Sequence, residues 1–263
     1  MKRIIKSLIS NLGYRLEKVH NKGRIQRNRF EPYECTFQDH TLYVHDHDSF
    51  ELGNEELFGV NKIYKFNSLN DKPYIIDCGA NMGMSLIYFK SLYPDAEITA
   101  FEADPHIFSF LKKNVQSFNF SDTRIINKAV WHTNGETLSF LSEGGAGGRL
   151  QARSGEHKFV EVQTVRLKDY LNRKVDFLKI DIEGAEYPVI KDCSAELVNV
   201  QNLFIEYHGF PDVPQNLHLI LEIVKNAGFS YHIREAFASP EPLIERQLNF
   251  GMDLQLNIFC YRN

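Results

Sequence analysis

From residue 71 onward the apolar residues follow two alternating rhythms. Short, nearly continuous apolar runs have the length of buried strands, and between them apolar residues recur at helical spacing. Strands are predicted at Pro73–Asp77, Glu97–Phe101, Thr123–Asn127, Val175–Ile180, Asn202–Tyr207, Phe229–Ile233 and Leu254–Tyr261. Met82, Leu86, Phe89 and Tyr93 mark the first helix. Asp104 and Pro105 open the second as N-cap and first helical residue, with Phe108, Leu111, Val115 and Phe118 as its buried stripe. Another helix runs from Leu217 to Ala227 and is closed by Gly228. A β excursion, Glu136–Leu141 returning as Phe159–Val165, flanks the glycine run Gly144–Gly148. This alternation predicts an α/β fold with a doubly wound, mostly parallel seven-stranded sheet over residues 71–263.

Residues 1–70 lack that rhythm and are expected to form an N-terminal α+β extension packed on the main domain. Ile4, Ile5, Leu8, Ile9 and Leu12 among Lys2, Arg3, Lys6 and Arg15 read as a basic amphipathic helix, expected to pack on protein. Peripheral contact with a membrane surface is the lesser reading. Thr41–His45 alternates as a strand or hairpin does. His45, Asp46, His47 and Asp48 crowd polar groups together and are expected to form a solvated turn rather than a metal site.

Charge and composition narrow the classes. The net charge of −4 over 263 residues disfavours a sequence-independent grip on nucleic acid phosphates. No apolar run approaches the length of a membrane span, and no cleavable leader pattern is evident. Cys35, Cys78, Cys193 and Cys260 are far apart with no paired spacing, which argues against a disulfide framework or zinc site and fits a reducing, cytoplasmic location. Cys78 reads as a small buried residue.

The candidate chemistry sits at strand ends, where ligands bind in open α/β sheets. Asp77 ends the first strand, and Gly79, Ala80, Asn81 and Gly83 lead into a helix whose N-terminus offers free N–H groups. The spacing D-x-G-x-N-x-G differs from the G-x-G-x-x-G of dinucleotide sites. An acidic strand end repels pyrophosphate but suits S-adenosylmethionine, which carries an ammonium and a sulfonium. Glu102 ends the second strand, placed to accept from both ribose hydroxyls. Ala103, Asp104, Ala129 and Val130 are expected beside the adenine. Trp131 serves equally as adenine contact or core aromatic.

Three stretches resemble the FkbM-type methyltransferases: Ile75–Gly83, Phe101–Pro105 with Leu111 and Asn114, and Leu178-Lys179-Ile180-Asp181-Ile182-Glu183-Gly184-Ala185-Glu186. The last is the most specific, and the resemblance covers roughly residues 70–210. Ala103 departs from the proline usual in that family. The resemblance implies a Rossmann-like class I fold and methyl transfer from S-adenosylmethionine to a hydroxyl oxygen of a saccharide or glycoconjugate, with polyketide-like metabolites as the alternative. A catalytically silent cofactor-binding scaffold is the reading from another class.

An alcohol is a poor nucleophile while protonated, so a base or a metal helps. Asp181, which also borders the cofactor, Glu183, Glu206 and His208 follow the fourth and fifth strands and are the catalytic candidates. His208 is the favoured base. Asp181, Glu183 and Glu206 are alternatively hard ligands for a divalent cation, the lesser expectation. Glu186 is expected to bond backbone groups at the start of its helix. Gly144–Gly148 with Arg149 reads as a lid or a surface turn.

Overall fold

The computed structural model describes residues 29–142 and 158–262. The amphipathic segment at the start of the chain and the glycine run with Arg149 lie outside the described residues. The chain opens with a hairpin, β1 (Tyr33–Phe37) and β2 (His40–Val44), followed by α1 (His47–Phe58). The αβ succession is β3 (Tyr74–Cys78), α2 (Met84–Leu92), β4 (Glu97–Phe101), α3 (Pro105–Ser117) and β5 (Thr123–Ile126). Next come β6 (Ala129–Trp131), β7 (Thr137–Ser142) and β8 (Lys158–Arg166), which form a three-stranded sheet of their own in the order β6-β8-β7. The chain then continues with β9 (Val175–Ile180), α4 (Glu186–Asp192), β10 (Val200–Gly209), α5 (Leu217–Asn226), β11 (Ser230–Ala238) and β12 (Leu254–Tyr261).

The main sheet has seven strands in the order β11-β12-β10-β9-β3-β4-β5. Pairing is parallel from β5 to β10, and β12 runs antiparallel to both of its neighbours. β3 and β9 lie inside the sheet and are buried along their whole length, which is why both read as apolar runs instead of alternating patterns. Alternate residues feed two cores. Ile76, Cys78, Leu178, Ile180 and Ile205 face α4 and α5, while Ile75, Phe177 and Phe204 face α2 and α3.

Leu42, Val44 and Leu57, from the hairpin and α1, are buried in this second core. The turn before α1 departs from the solvated expectation, because His45 and Asp46 are buried. Asp46 caps α1 by accepting from the backbone N–H and hydroxyl of Ser49, and it pairs with Arg29 at 3.0 Å. His47 bonds the Tyr33 hydroxyl, and Asp48 shares Arg29 with Asp46, at 3.3 Å. No helix among the described residues is long and apolar enough to cross a membrane.

Candidate active site

The site begins with a charge inside a strand. Asp77 on β3 lies opposite Lys179 on β9 in the parallel register, so both side chains leave the sheet on one face. Lys179 is buried; its Nζ is 3.2 Å from Asp77 Oδ1 and 3.1 Å from Asp181 Oδ2, and it donates to the Gly79 carbonyl at 2.7 Å. Burial works to lower the Lys179 pKa, but the Asp181 and Asp77 carboxylates outweigh it and hold it well above the ordinary value. The second Asp77 oxygen accepts from the Ser85 hydroxyl at 2.5 Å. Asp77 therefore stands behind the cavity wall and acts through Lys179 and Ser85.

The loop after β3 is held by close backbone approaches. Gly79 has φ +87°, and a Cβ there would lie 1.8 Å from the Asp181 carbonyl oxygen, so this position admits only glycine without rearrangement. Asn81 is also left-handed, with φ 49°, and its Oδ1 accepts from the Met82 N–H at 2.6 Å and faces His45 Nε2 at 2.7 Å. Glu102 joins the loops after β3 and β4, accepting from the N–H of Asn81 at 2.8 Å and of Asp104 at 2.9 Å. Burial pushes its carboxyl up to about 7, against the lowering effect of those two bonds. Each bound oxygen retains a second lone pair for a hydroxyl donor.

A second cluster forms at the ends of β9 and β10. Ile180 pairs with Ile205, so Asp181 and Glu206 follow side by side. Glu183 and Gly184 are consecutively left-handed, at φ 53° and 96°, and this tight turn swings Glu183 back toward the sheet. His208 is buried, and its Nδ1 meets Glu186 Oε1 at 2.8 Å. Its Nε2 faces Glu183 at 3.6 Å and Asp181 and Glu206 each at 3.8 Å. Burial opposes charge on the imidazole, but Glu183, Glu186 and Glu206 outweigh it and raise its pKa well above the ordinary value. Burial, reinforced by Asp181, pushes Glu206 up to about 8, and burial also raises Glu183. Glu186 additionally accepts from the Gly184 N–H at 3.0 Å, the backbone bond expected near the start of α4.

Two cavities flank this cluster. One, of about 120 Å³, is lined by Gly79, Ala80 and Asn81 of the loop, by Lys179, Asp181, Glu183 and Glu206, and by Glu56 and Tyr64 of the preceding segment. The other, of about 220 Å³, lies across Glu183 and is lined by His208, Glu186, Trp131 and Phe210. The strand ends thus bring together Asp181, Glu183, Glu206 and His208 beside the loop. Ala103 and Ala129 pack in a small apolar cluster with Val162, and Trp131 borders the second cavity. Asp104 is occupied in capping α3.

Sequence reading gave no role to Lys179 or Glu56. A lysine within an apolar run of strand length was the available signal for the first. Glu56 is one acidic residue among several on a surface helix, and nothing in its spacing marks it. Its carboxyl is pushed up to about 7 by burial and by Asp181.

The sequence matches the methyltransferase FkbM domain over residues 77–231, more than half of the chain. The chain belongs to the FkbM methyltransferase family. It is 27% identical over 170 residues to Methyltransferase 1 of Beauveria bassiana, covering 56% of this chain and 68% of that protein. Methyltransferase sdnD of Sordaria araneosa is 27% identical over 204 residues, covering 64% of this chain and 78% of its own length. The protein named 2-O-methyltransferase NoeI, of Sinorhizobium fredii, is 26% identical over 155 residues, 51% of this chain and 63% of its own. The crystal structure of methyltransferase FkbM from Methylobacillus flagellatus aligns with a TM-score of 0.48 at 15% identity, over 73% of this chain and 45% of that one. The FkbM methyltransferase match and the sheet order together identify a Rossmann-like class I methyltransferase fold. Family membership supports S-adenosylmethionine as the cofactor, and the acidic side chains of Asp181 and Glu102 lie beside the Gly79–Asn81 loop.

Proposed function

We propose that this FkbM methyltransferase moves the methyl group of S-adenosylmethionine to a hydroxyl oxygen of a saccharide or glycoconjugate. The carrying observation is the carboxylate–imidazole cluster of Asp181, Glu183, Glu206 and His208, on cavity walls that begin at the Gly79–Asn81 loop. The cofactor supplies an activated methyl on a sulfonium. Glu102 would accept from the ribose hydroxyls, and the N–H groups of the first turn of α2 would receive the carboxylate end. Lys179 fixes the Gly79 carbonyl and Asp181, which holds the loop in the geometry that alignment for in-line transfer needs. The cluster takes the acceptor's hydroxyl proton as its oxygen bonds to the methyl carbon.

A saccharide suits the wall chemistry, since Glu56, Glu206 and Gln255 present hydrogen-bonding groups toward the cavity. The name of NoeI as a 2-O-methyltransferase supports oxygen as the acceptor atom. The apolar side of the second cavity, with Trp131, Phe210 and Val213, favours a polyketide-like acceptor as the second reading. The test incubates the chain with S-adenosylmethionine and a panel of neutral oligosaccharides and polyketide alcohols, with methylated products located by mass spectrometry. Oligosaccharide O-methylation that falls at least about 100-fold in kcat in Asp181→Asn and His208→Ala supports the proposal. Methylation of the polyketide alcohols alone selects the second reading. Cofactor binding with no product from any acceptor favours the silent scaffold.

A further inference from the structure

We infer that Asp181, Glu206 and His208 form a binding site for one divalent cation of the manganese type. The inference rests on the methyl-transfer reading only for its purpose, because the site itself stands on geometry. One ligand atom from each of the three residues lies within 4.8 Å of the others. With His208 Nε2 at 3.8 Å from both carboxylates, a point roughly 2.2–2.5 Å from all three atoms exists, the reach of an oxygen- and imidazole-bound divalent ion.

The imidazole supplies the independent observation. The His208 side chain is 1% exposed. Its Nδ1 is committed to Glu186 at 2.8 Å, and Glu186 is itself held by the Gly184 N–H. Among the described residues its Nε2 makes no hydrogen bond, since the facing carboxylate oxygens at 3.6–3.8 Å are too distant for one. A ring whose far nitrogen is anchored on a carboxylate, with the near nitrogen aimed at three more, has the arrangement that orients metal-ligating histidines. Carboxylates with one imidazole suit manganese better than calcium or a thiolate-seeking ion.

A cation here also has a chemical use. It sits in the partition between the two cavities, where an acceptor hydroxyl bound to it becomes more acidic. The O–H proton passes to Glu183, which borders both cavities and lies outside the ligand trio, while the oxygen forms its bond to the methyl carbon and the sulfonium carbon–sulfur bond breaks.

The test strips the full chain with chelator and titrates it with manganese chloride, following the free-ion signal by electron paramagnetic resonance, with no acceptor present. One ion per chain is expected. Affinity is expected to fall at least about 100-fold in Glu206→Gln and His208→Gln, and about 10- to 100-fold in Glu186→Gln, whose residue touches the ion only through His208. Calorimetry of S-adenosylmethionine in chelator on the same variants reports whether they are folded. Absence of stoichiometric manganese binding, or binding unmoved by Glu206→Gln and His208→Gln, overturns the cation site. If the cofactor still binds in that case, the methyl-transfer reading stands. If neither binds, that reading falls as well.

Discussion

Replacing Lys179 with methionine keeps most of the side-chain volume and removes the ammonium between Asp77 and Asp181. The Asp77 side chain is 0% exposed and the Lys179 side chain 3%, so water cannot replace the lost partner. Stranding a buried charge in this way costs about 3–5 kcal/mol. A unit-charge attraction at 3.2 Å with an effective dielectric near 20 gives about 5 kcal/mol, the same range. Asp77→Asn is milder, because Lys179 keeps Asp181 at 3.1 Å and the Gly79 carbonyl at 2.7 Å; about 1–2 kcal/mol is expected. In the double variant no charge is stranded at Asp77, so the loss should fall short of the sum by about 2 kcal/mol. Urea unfolding, read by the fluorescence of the single tryptophan, measures all four proteins. A Lys179→Met loss under about 1 kcal/mol, or losses that add within about 0.5 kcal/mol, would refute the claim that this ammonium neutralises Asp77.

Other outcomes follow from the same geometry. Gly79→Ala combines a positive φ with a Cβ driven into the Asp181 carbonyl, so calorimetry should show S-adenosylmethionine binding weakened at least about 10-fold, with a lower melting temperature. Glu102 makes stability and binding diverge with pH. Its pKa is raised from 4.5 to about 7 in the folded chain, so its contribution to stability is fully present below pH 4.5 and is lost as pH rises through about 7. Cofactor affinity should instead rise across pH 7, because the ionised carboxylate accepts from the ribose. Glu102→Gln should flatten both slopes, and unchanged slopes in calorimetry and urea titration would exclude the role. Asp46→Ala removes the cap of α1 and the Arg29 pairing; a loss of about 1–2 kcal/mol is expected by urea titration, with a higher acceptor KM because α1 carries Glu56.

Much of the fold was legible because buried parallel strands leave continuous apolar runs. Tyr74–Cys78 and Val175–Ile180 could be read in that way, and Asp104-Pro105 announced α3 by cap chemistry. The position of β12 between β10 and β11 was not legible, because pairing order leaves no trace in periodicity. At the site, Asp181, Glu206 and His208 could be found from their strand ends. The turn at Glu183-Gly184 and the Glu186–His208 pairing depend on backbone conformation and rotamers, which spacing does not encode. Buried His45 and Asp46 were misjudged because their partners, Asn81 and Arg29, are distant in sequence.

The placement of β12 bears on how the chain can be assembled. β12 comes later in the sequence than both strands it joins, and β11 pairs with no other strand of the main sheet. A ribosome releases β10 and β11 first, so one flank of the parallel sheet stays open until residues 254–261 emerge. A nascent chain stalled before Leu254 would expose the unpaired edge of β10, a template for pairing with another chain. Completion of the β10 flank is therefore a late step, and β10, which carries Glu206 and His208, gains its second neighbour only once β12 has emerged.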